Sequence, residues 1–347
     1  MRKILIDGFV KAVAENYRKE VHSHGHYGRD DNILINPSRR LDALLKAFNE
    51  RDVTSNDGTP LPQVVAENLQ RYTSLLLRKY KDDLLDATPG EIKSLNTEFD
   101  NAIGDPAFYY LKVKVRNKKV AKFNDIIIKA LRYDDIRQYI YPQYIRRLGI
   151  KACVYCNAAF CVTDRNGVAY YTADHWKPKS RYPHLAISFF NLVPCCFSCN
   201  RNKGDDEGEY FCLYEDDPHV GRDVLYLRVS AKSMASYIMN HDADELEICL
   251  SEATPDYKTL RDNMDERLHI TSICREHIDV AEETIWRKMA YNTSSMEALN
   301  QLFSDKGQKL SNEEVRRFIY GTYPDSDDMH KRPLTRLIQN LMDENPP

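Results

Sequence analysis

Two Cys-x-x-Cys pairs constrain this 347-residue chain more than any other feature of its sequence. The first pair is Cys153 and Cys156, and the second pair, Cys196 and Cys199, begins 40 residues after the first one ends. Four thiolates at such spacing are the ligand set of tetrahedral structural zinc. The intervening stretch is longer than in a simple zinc ribbon, so we predict a zinc site that encloses further structure. Cys195 offers an alternative register, but Cys196 is the residue with two-residue spacing to Cys199.

The number of cysteines and the first residues of the chain favour a reducing compartment. The chain has nine cysteines, an odd number that is too small for a disulfide-dense scaffold of this length. Its first residues, MRKILIDGFVKAVAEN, interrupt their apolar stretch with Asp7, Gly8 and Lys11, unlike a secretion signal. No apolar run approaches the roughly 18 residues that span a bilayer. We therefore expect a cytoplasmic protein without a membrane partner.

Positive charge is concentrated around the cysteine pairs. The whole chain has a net charge of -3. Residues 112–203, however, contain 18 Lys and Arg against 5 Asp and Glu, a net charge of +13, and the remaining residues carry -16. A basic central segment flanked by acidic segments predicts that a polyanion such as nucleic acid binds residues 112–203.

The segment between the cysteine pairs has the pattern of a strand pair followed by a short helix. The dipeptide Asn166-Gly167 favours a tight turn, so we predict a hairpin over residues 160–173. Its second strand leads into Asp174 and His175. Adjacent side chains of a strand point to opposite faces. One of the two can therefore bind a metal while the other meets a substrate.

Two stretches of this segment, ADHWKPKS and NLVPCCFSCNRNKG, resemble the zinc-knuckle branch of the HNH (ββα-metal) endonucleases. The resemblance covers residues 151–205. It implies a hairpin and a helix around one catalytic divalent ion, Mg²⁺ or Mn²⁺, with a separate structural Zn²⁺. Carried over by position, it implies Asp174 and Asn200 as ligands of the catalytic metal, His175 as the general base, Asn191 as the asparagine that holds the loop of the base, and Cys153, Cys156, Cys196 and Cys199 as zinc ligands.

The same residue types suit phosphodiester hydrolysis on chemical grounds. A neutral imidazole can accept the proton of an attacking water at physiological pH. Carboxylate and amide oxygens hold a hard divalent cation that stabilises the charge on the leaving oxygen. DNA is the expected substrate because most relatives of the motif cut it; an RNA endonuclease and a non-catalytic zinc module that binds nucleic acid are the alternatives. Four cations are predicted to bind flanking phosphates, namely Lys177, Lys179, Arg201 and Lys203.

The rest of the chain predicts a mostly helical α+β protein. Apolar residues at helical spacing predict helices around residues 41–48 and 64–85 and near the carboxyl terminus. We divide the chain into a helical domain (1–108), a basic region with the HNH module (109–215) and a mainly helical region (216–347). An HNH module within a longer helix-rich chain also resembles the nuclease subunits of bacterial anti-phage systems such as Septu. That resemblance implies an ATPase as a partner.

A helix is also predicted over residues 126–140, ending before Pro142. Arg132, Tyr133, Arg137 and Tyr139 give it the composition of a phosphate-contacting groove with aromatic surfaces for bases. The alternative is an ordinary amphipathic helix with half-buried tyrosines.

Three alternating histidines, His22, His24 and His26, precede a segment rich in glycine and aspartate. This composition predicts a solvated loop. The alternative is a metal site on one face of a strand.

Overall fold

The computed structural model describes residues 1–23 and 36–342, and most of these residues are helical. His24 and His26 lie outside the described residues, whereas His22 ends the first helix. The α-helices are α1 (Gly8–His22), α2 (Pro37–Asn49), α3 (Gln63–Lys81), α4 (Pro89–Ile103), α5 (Phe123–Ala130), α6 (Tyr133–Asp135), α7 (Tyr141–Arg147), α8 (Phe197–Lys203), α9 (Ala231–Asn240), α10 (Lys258–Leu268), α11 (Ile270–Arg275), α12 (Ile278–Ala290), α13 (Thr293–Asp305), α14 (Asn312–Tyr320) and α15 (Thr335–Met342).

Short strands in the described ranges form small sheets rather than one large sheet. The pair β1–β7 is parallel, and the other pairs are antiparallel. The neighbours are β1 (Ile4–Leu5) with β7 (Tyr214–Glu215); β2 (Val53–Ser55) with β3 (Lys112–Val115), which also pairs with β4 (Ala121–Lys122); β5 (Thr172–His175) with β6 (Leu192–Cys195); and β8 (Leu225–Val229) with β9 (Ile248–Glu252).

The α+β, mostly helical class is confirmed. Helices form where one face of the sequence is apolar, as in α2, whose Leu41, Leu44 and Phe48 are buried. Asn36 caps this helix by accepting a hydrogen bond from the backbone N–H of Ser38. Sequence periodicity thus places α2 and α3 to within about four residues, whereas α1 and α4 were not predicted.

The predicted helix over 126–140 is divided differently in the structure. α5 ends at Ala130, and Arg132 adopts a left-handed conformation with φ +58°. A second helical segment then runs from Tyr133 to Arg147, through Pro142, by way of a π-helical turn over Ile136–Ile140. Proline has no N–H to donate. The wider turn accommodates it, with the N–H of Tyr141 donating to the carbonyl five residues earlier.

One hydrophobic core extends through all three predicted regions. It contains Met1, Tyr72, Ile145, Phe189 and Leu337 among many other residues. The β1–β7 pairing joins the amino terminus directly to the end of the central region. The predicted domain boundaries therefore fall within continuous packing, and they stay a prediction.

Helices of the amino-terminal region hold the loop between β5 and β6. The His184 ring of that loop stacks on Phe99, with ring centroids 3.9 Å apart. Its two nitrogens lie 3.0 Å from the Tyr72 hydroxyl and 2.9 Å from Oδ1 of Asn96. Because His184 is buried and both of its nitrogens are bonded, it fixes the loop onto α3 and α4.

The carboxyl-terminal region holds the first cysteine pair from the other side. Asn157 follows Cys156 and donates through Nδ2 to the carbonyl of Met329 at 3.1 Å. Its Oδ1 accepts from the backbone N–H of Arg336 at 2.9 Å. The central segment is thus anchored by both flanking regions.

Candidate active site and zinc centre

The chemically suggestive residues lie on β5, β6 and α8. β5 pairs with β6 so that Asp174 faces Val193 and His175 faces Leu192 across the two strands. α8 follows immediately and packs against β5. Two strands and a helix thus form the ββα unit that the resemblance implies.

The strand partner of β5 differs from the hairpin predicted over residues 160–173. That stretch is joined by the single bridge Thr163–Ala169, and its turn places Gly167 at φ +82°. Every residue of β6 is buried, whereas Phe160 and Val168 are exposed. β5, the strand that carries Asp174, therefore pairs with the fully buried β6 rather than with the partly exposed stretch before it.

The four predicted zinc ligands converge on one point. The Sγ atoms of Cys153, Cys156, Cys196 and Cys199 lie within 4.8 Å of one another. A tetrahedron with zinc–sulfur bonds of about 2.3 Å has edges of about 3.8 Å, so small adjustments would close the cluster on an ion. The backbone N–H groups of Cys196 and Cys199 donate to the sulfurs of Cys153 and Cys196 at 3.3 and 3.4 Å. The donor set therefore fits structural zinc.

Cys195 lies outside this cluster. Its sulfur is buried and lies 3.5 Å from Oγ1 of Thr172 on the neighbouring strand. The choice of Cys196 for the second pair agrees with this geometry. Burial raises the pKa of Cys153 to about 12, so the metal-free thiol is protonated and metal binding must release protons.

Asp174 is buried and held by two side chains. Its Oδ2 accepts a hydrogen bond from the Tyr155 hydroxyl at 2.7 Å and lies 3.1 Å from Nζ of Lys203. No residue in the described ranges donates to Oδ1. The carboxylate is therefore fixed through one oxygen while the other stays available to a cation.

Asn200 lies on α8, the helix that also carries Lys203, whose Nζ lies 3.1 Å from Asp174. It precedes Lys203 by three residues, a spacing that places both on one side of a helix. Its half-buried amide has no hydrogen-bond partner in the described part of the chain. One carboxylate and one amide oxygen, completed by waters and phosphate oxygens, suit a weakly held Mg²⁺. Asp174 and Asn200 thus fit the predicted divalent ion.

His175 is oriented by a backbone carbonyl. Its Nε2 lies 3.0 Å from the carbonyl of Ala186, and a carbonyl can only accept, so Nε2 carries the proton. The Tyr133 ring packs 4.9 Å from the imidazole. Burial lowers the pKa of His175 well below its usual value, and the positive charge of Lys179 lowers it further. The ring is therefore neutral, with an unprotonated Nδ1.

Asn191 closes the loop that orients the base. Its Oδ1 accepts from the backbone N–H of Lys177 at 2.8 Å. Its Nδ2 donates to the carbonyls of Lys177 and Leu185 at 3.1 and 3.2 Å. Leu185 precedes Ala186, whose carbonyl binds His175. The arrangement matches the structural role that the resemblance implies for Asn191.

The four predicted phosphate-binding cations lie in different environments. Arg201 is exposed, and Lys179 lies half-exposed over the Tyr133 ring at 5.2 Å. Lys177 lies over the Trp176 ring at 4.7 Å, and burial lowers its pKa. Lys203 corrects the prediction: its side chain is fully buried and pairs with Asp174. An unpaired buried ammonium would be costly, so this lysine bonds inside the protein instead of reaching a flanking phosphate.

Comparison with known proteins agrees with this geometry. Residues 153–206 match the family model described as HNH endonuclease. This segment is an HNH endonuclease domain. The Septu protein PtuB of Bacillus thuringiensis is 37% identical over 57 residues, which cover 16% of this chain. The chain thus matches only about a fifth of the length of this relative, 21% of PtuB. No solved structure matches the chain significantly.

The described part of the chain contains no helix that is both long and apolar enough to cross a membrane.

Sequence reasoning missed two residues of the site, Tyr155 and Ala186, and it assigned Tyr133 to a predicted groove rather than to the surroundings of His175. Tyr155 holds Asp174, Ala186 orients His175 through its carbonyl, and Tyr133 packs on the imidazole. Tyr155 lies between Cys153 and Cys156, and this position is the sequence feature that could have indicated its role beside the site. The four-cysteine cluster and the candidate catalytic carboxylate are therefore connected by the buried side chain of Tyr155.

We expect Tyr155→Phe to lower the cleavage rate about tenfold while zinc content stays unchanged. The substitution keeps the ring and removes a hydrogen bond to a charged group, an interaction of about 1.5–3 kcal/mol. Single-turnover kinetics and zinc quantification are the measurements. Tyr141→Phe is the matched control because Tyr141 is equally buried and donates to the carbonyl of Leu192 instead. An equal loss in both variants would contradict a specific role for Tyr155.

Proposed function

We propose that this protein is a divalent-metal-dependent endonuclease that hydrolyses phosphodiester bonds in nucleic acid, with DNA as its preferred substrate. The observation that carries the proposal is the geometry of His175, whose Nε2 is held by the carbonyl of Ala186, beside Asp174, a carboxylate with one unbonded oxygen on the same strand. The HNH domain at residues 153–206 supports nuclease activity.

In this mechanism His175 removes a proton from the attacking water through Nδ1. The hydrogen bond from Nε2 to Ala186 fixes the tautomer and direction of the ring. Asn191 maintains that direction by closing the loop at both ends. A neutral base at physiological pH requires no prior deprotonation, so the site is ready to act when substrate binds.

Asp174 and Asn200 would hold the divalent ion, and Tyr155 and Lys203 orient Asp174. When bound, the ion supplies electrostatic stabilisation to the scissile phosphate and to the leaving oxygen. Lys203 also donates to the carbonyl of His175 at 2.7 Å, so one buried ammonium links the metal-binding and base residues. Lys179 and Arg201, which are accessible to solvent, are proposed to bind flanking phosphates.

The proposed biological role is anti-phage defence beside an ATPase partner, in the cytoplasm. The similarity to the Septu protein PtuB supports this role, although it covers a fifth of that protein. A stable complex with an ATPase encoded beside this chain, seen by co-purification, is the expected result. Absence of such a complex would contradict the proposed ATPase partner and would leave the proposed phosphodiester hydrolysis unaffected.

The function is tested by incubating purified protein with plasmid DNA, single-stranded DNA and total RNA. We expect cleavage with Mg²⁺ or Mn²⁺ and none with EDTA, because the ion stabilises the leaving oxygen. Faster cleavage of DNA than of RNA is expected. Cleavage that persists in EDTA would contradict the metal requirement, and exclusive cleavage of RNA would overturn the substrate preference.

A further inference from the structure

A cavity of about 880 Å³ lies beside the HNH strand that carries Asp174 and His175. One wall is the π-helical turn over 136–140, which contributes Arg137 and Tyr139. The opposite wall is the turn containing Asn166 and Val168, and the floor reaches Ala173. Cavities of about 300–1,000 Å³ are typical of sites for small organic ligands. This one can hold a nucleotide.

The cavity lies next to the candidate general base. Ala173 directly precedes Asp174, and its carbonyl accepts a hydrogen bond from the Tyr133 hydroxyl at 3.0 Å. The Tyr133 ring lies 4.9 Å from the His175 ring on one side and 5.7 Å from the Arg137 guanidinium on another. The Tyr133 ring therefore lies between the Arg137 guanidinium, which lines the cavity, and the imidazole of His175.

The chemistry of the lining suits a nucleotide. Tyr139 is 42% exposed and presents an aromatic surface on which a base can stack. Arg137 is half-exposed, and its nearest carboxylate, Asp134, lies 3.7 Å away and is itself 83% exposed. Such a solvated ion pair is weak, so a phosphate can displace it. Asn166 adds amide groups for hydrogen bonds to a base edge.

We propose that this cavity binds one unpaired nucleotide adjacent to the scissile phosphate, with its base on Tyr139 and its phosphate on Arg137. Its place beside the scissile bond rests on the proposed function. A base within a duplex is stacked and paired, so it cannot enter without local opening. The protein accordingly prefers single-stranded or locally unpaired nucleic acid.

The cavity wall on this side is a π-helical turn. Arg137, Gln138 and Tyr139 are consecutive residues of that turn, and all three line the cavity. Turns of this kind are often found at functional sites.

Binding is measured by fluorescence anisotropy with the full chain carrying His175→Gln, which prevents cleavage. The probes are labelled 12-nucleotide single strands of DNA and of RNA and a blunt DNA duplex of equal length. We expect at least one single strand to bind about fivefold or more tighter than the duplex. Adding Tyr139→Ala should weaken that single-strand binding about tenfold and leave the duplex unchanged, since stacking of a base is lost. Tyr139→Phe should retain it, and Arg137→Ala should weaken it.

Two matched controls exclude a general loss of aromatic surface or positive charge. Phe160→Ala removes an aromatic side chain that is 68% exposed in the same module but outside the cavity. Arg147→Ala removes an arginine that lies 4.9 Å over a tyrosine ring on α7. Both should leave single-strand binding unchanged.

Equal binding of duplex and single strands, or unchanged binding in the Tyr139→Ala variant, would overturn the cavity proposal. A loss in the Phe160→Ala variant as large as in Tyr139→Ala would do the same. These results are separate from the nuclease test. If wild type cuts nothing while single-strand binding depends on Tyr139, the nuclease function fails and the nucleotide cavity stands.

Discussion

Replacing His175 with glutamine should lower the rate of phosphodiester cleavage at least about a hundredfold, because the base that accepts the proton of water is lost. The glutamine amide can still donate to the carbonyl of Ala186, as Nε2 of His175 does at 3.0 Å. It offers no basic nitrogen at the position of Nδ1. The measurement is the single-turnover rate with saturating Mg²⁺, with unfolding temperature recorded in parallel.

His184→Asn is the matched control for this substitution. His184 is a second buried histidine of the same loop, and it bonds Tyr72 and Asn96 rather than facing the site. The control should lower the unfolding temperature and keep the rate per folded molecule. A His175→Gln protein that still cuts at more than a tenth of the wild-type rate would contradict the assignment of the base.

Replacing Cys199 with serine should remove the zinc ion and destabilise the protein strongly. Structural zinc sites contribute folding free energy directly, and three thiolates hold the ion far less tightly than four. A loss of about 5 kcal/mol corresponds to a fall of about 7 °C in unfolding temperature for a chain of this size. Cleavage activity should disappear as well, because Tyr155 lies within the first knuckle and holds Asp174.

The control is Cys195→Ser, which changes the neighbouring thiol outside the four-sulfur cluster. Its sulfur lies near the Thr172 hydroxyl, so a serine is tolerated there. We expect one zinc per chain in wild type and in Cys195→Ser, and less than a third of that in Cys199→Ser, by elemental analysis. Zinc lost from Cys195→Ser to the same extent as from Cys199→Ser would show that the second knuckle uses Cys195 in place of Cys196.

The sequence was most informative where structure depends on neighbours along the chain. The two-residue spacing of each cysteine pair predicts a knuckle, and the apolar stripe of α2 predicts a helix. The match over residues 153–206 likewise follows from short motifs. In all of these cases a few consecutive residues set the backbone geometry, so local pattern is sufficient.

The same reasoning failed where the outcome depended on competition between distant segments. The turn at Asn166-Gly167 forms as predicted, with the N–H of Asp164 donating to the carbonyl of Val168, but the strand that carries Asp174 pairs with the fully buried β6 instead of with residues 160–163. Pro142 predicted the end of a helix, yet a π-helical turn carries the helix past it. Propensity is a weak preference, and tertiary packing overrides it.

The sequence by itself determined the HNH motif and the spacing of the four cysteines, and it predicts Asp174 and Asn200 as ligands of a divalent ion and His175 as a base. The tertiary structure decided how those groups are used. It placed Lys203 inside against Asp174 and brought the carbonyl of Ala186 to His175. It also assembled the cavity around Arg137 and Tyr139. These contacts join segments that are separated along the chain, and only the packed core fixes the distances between them.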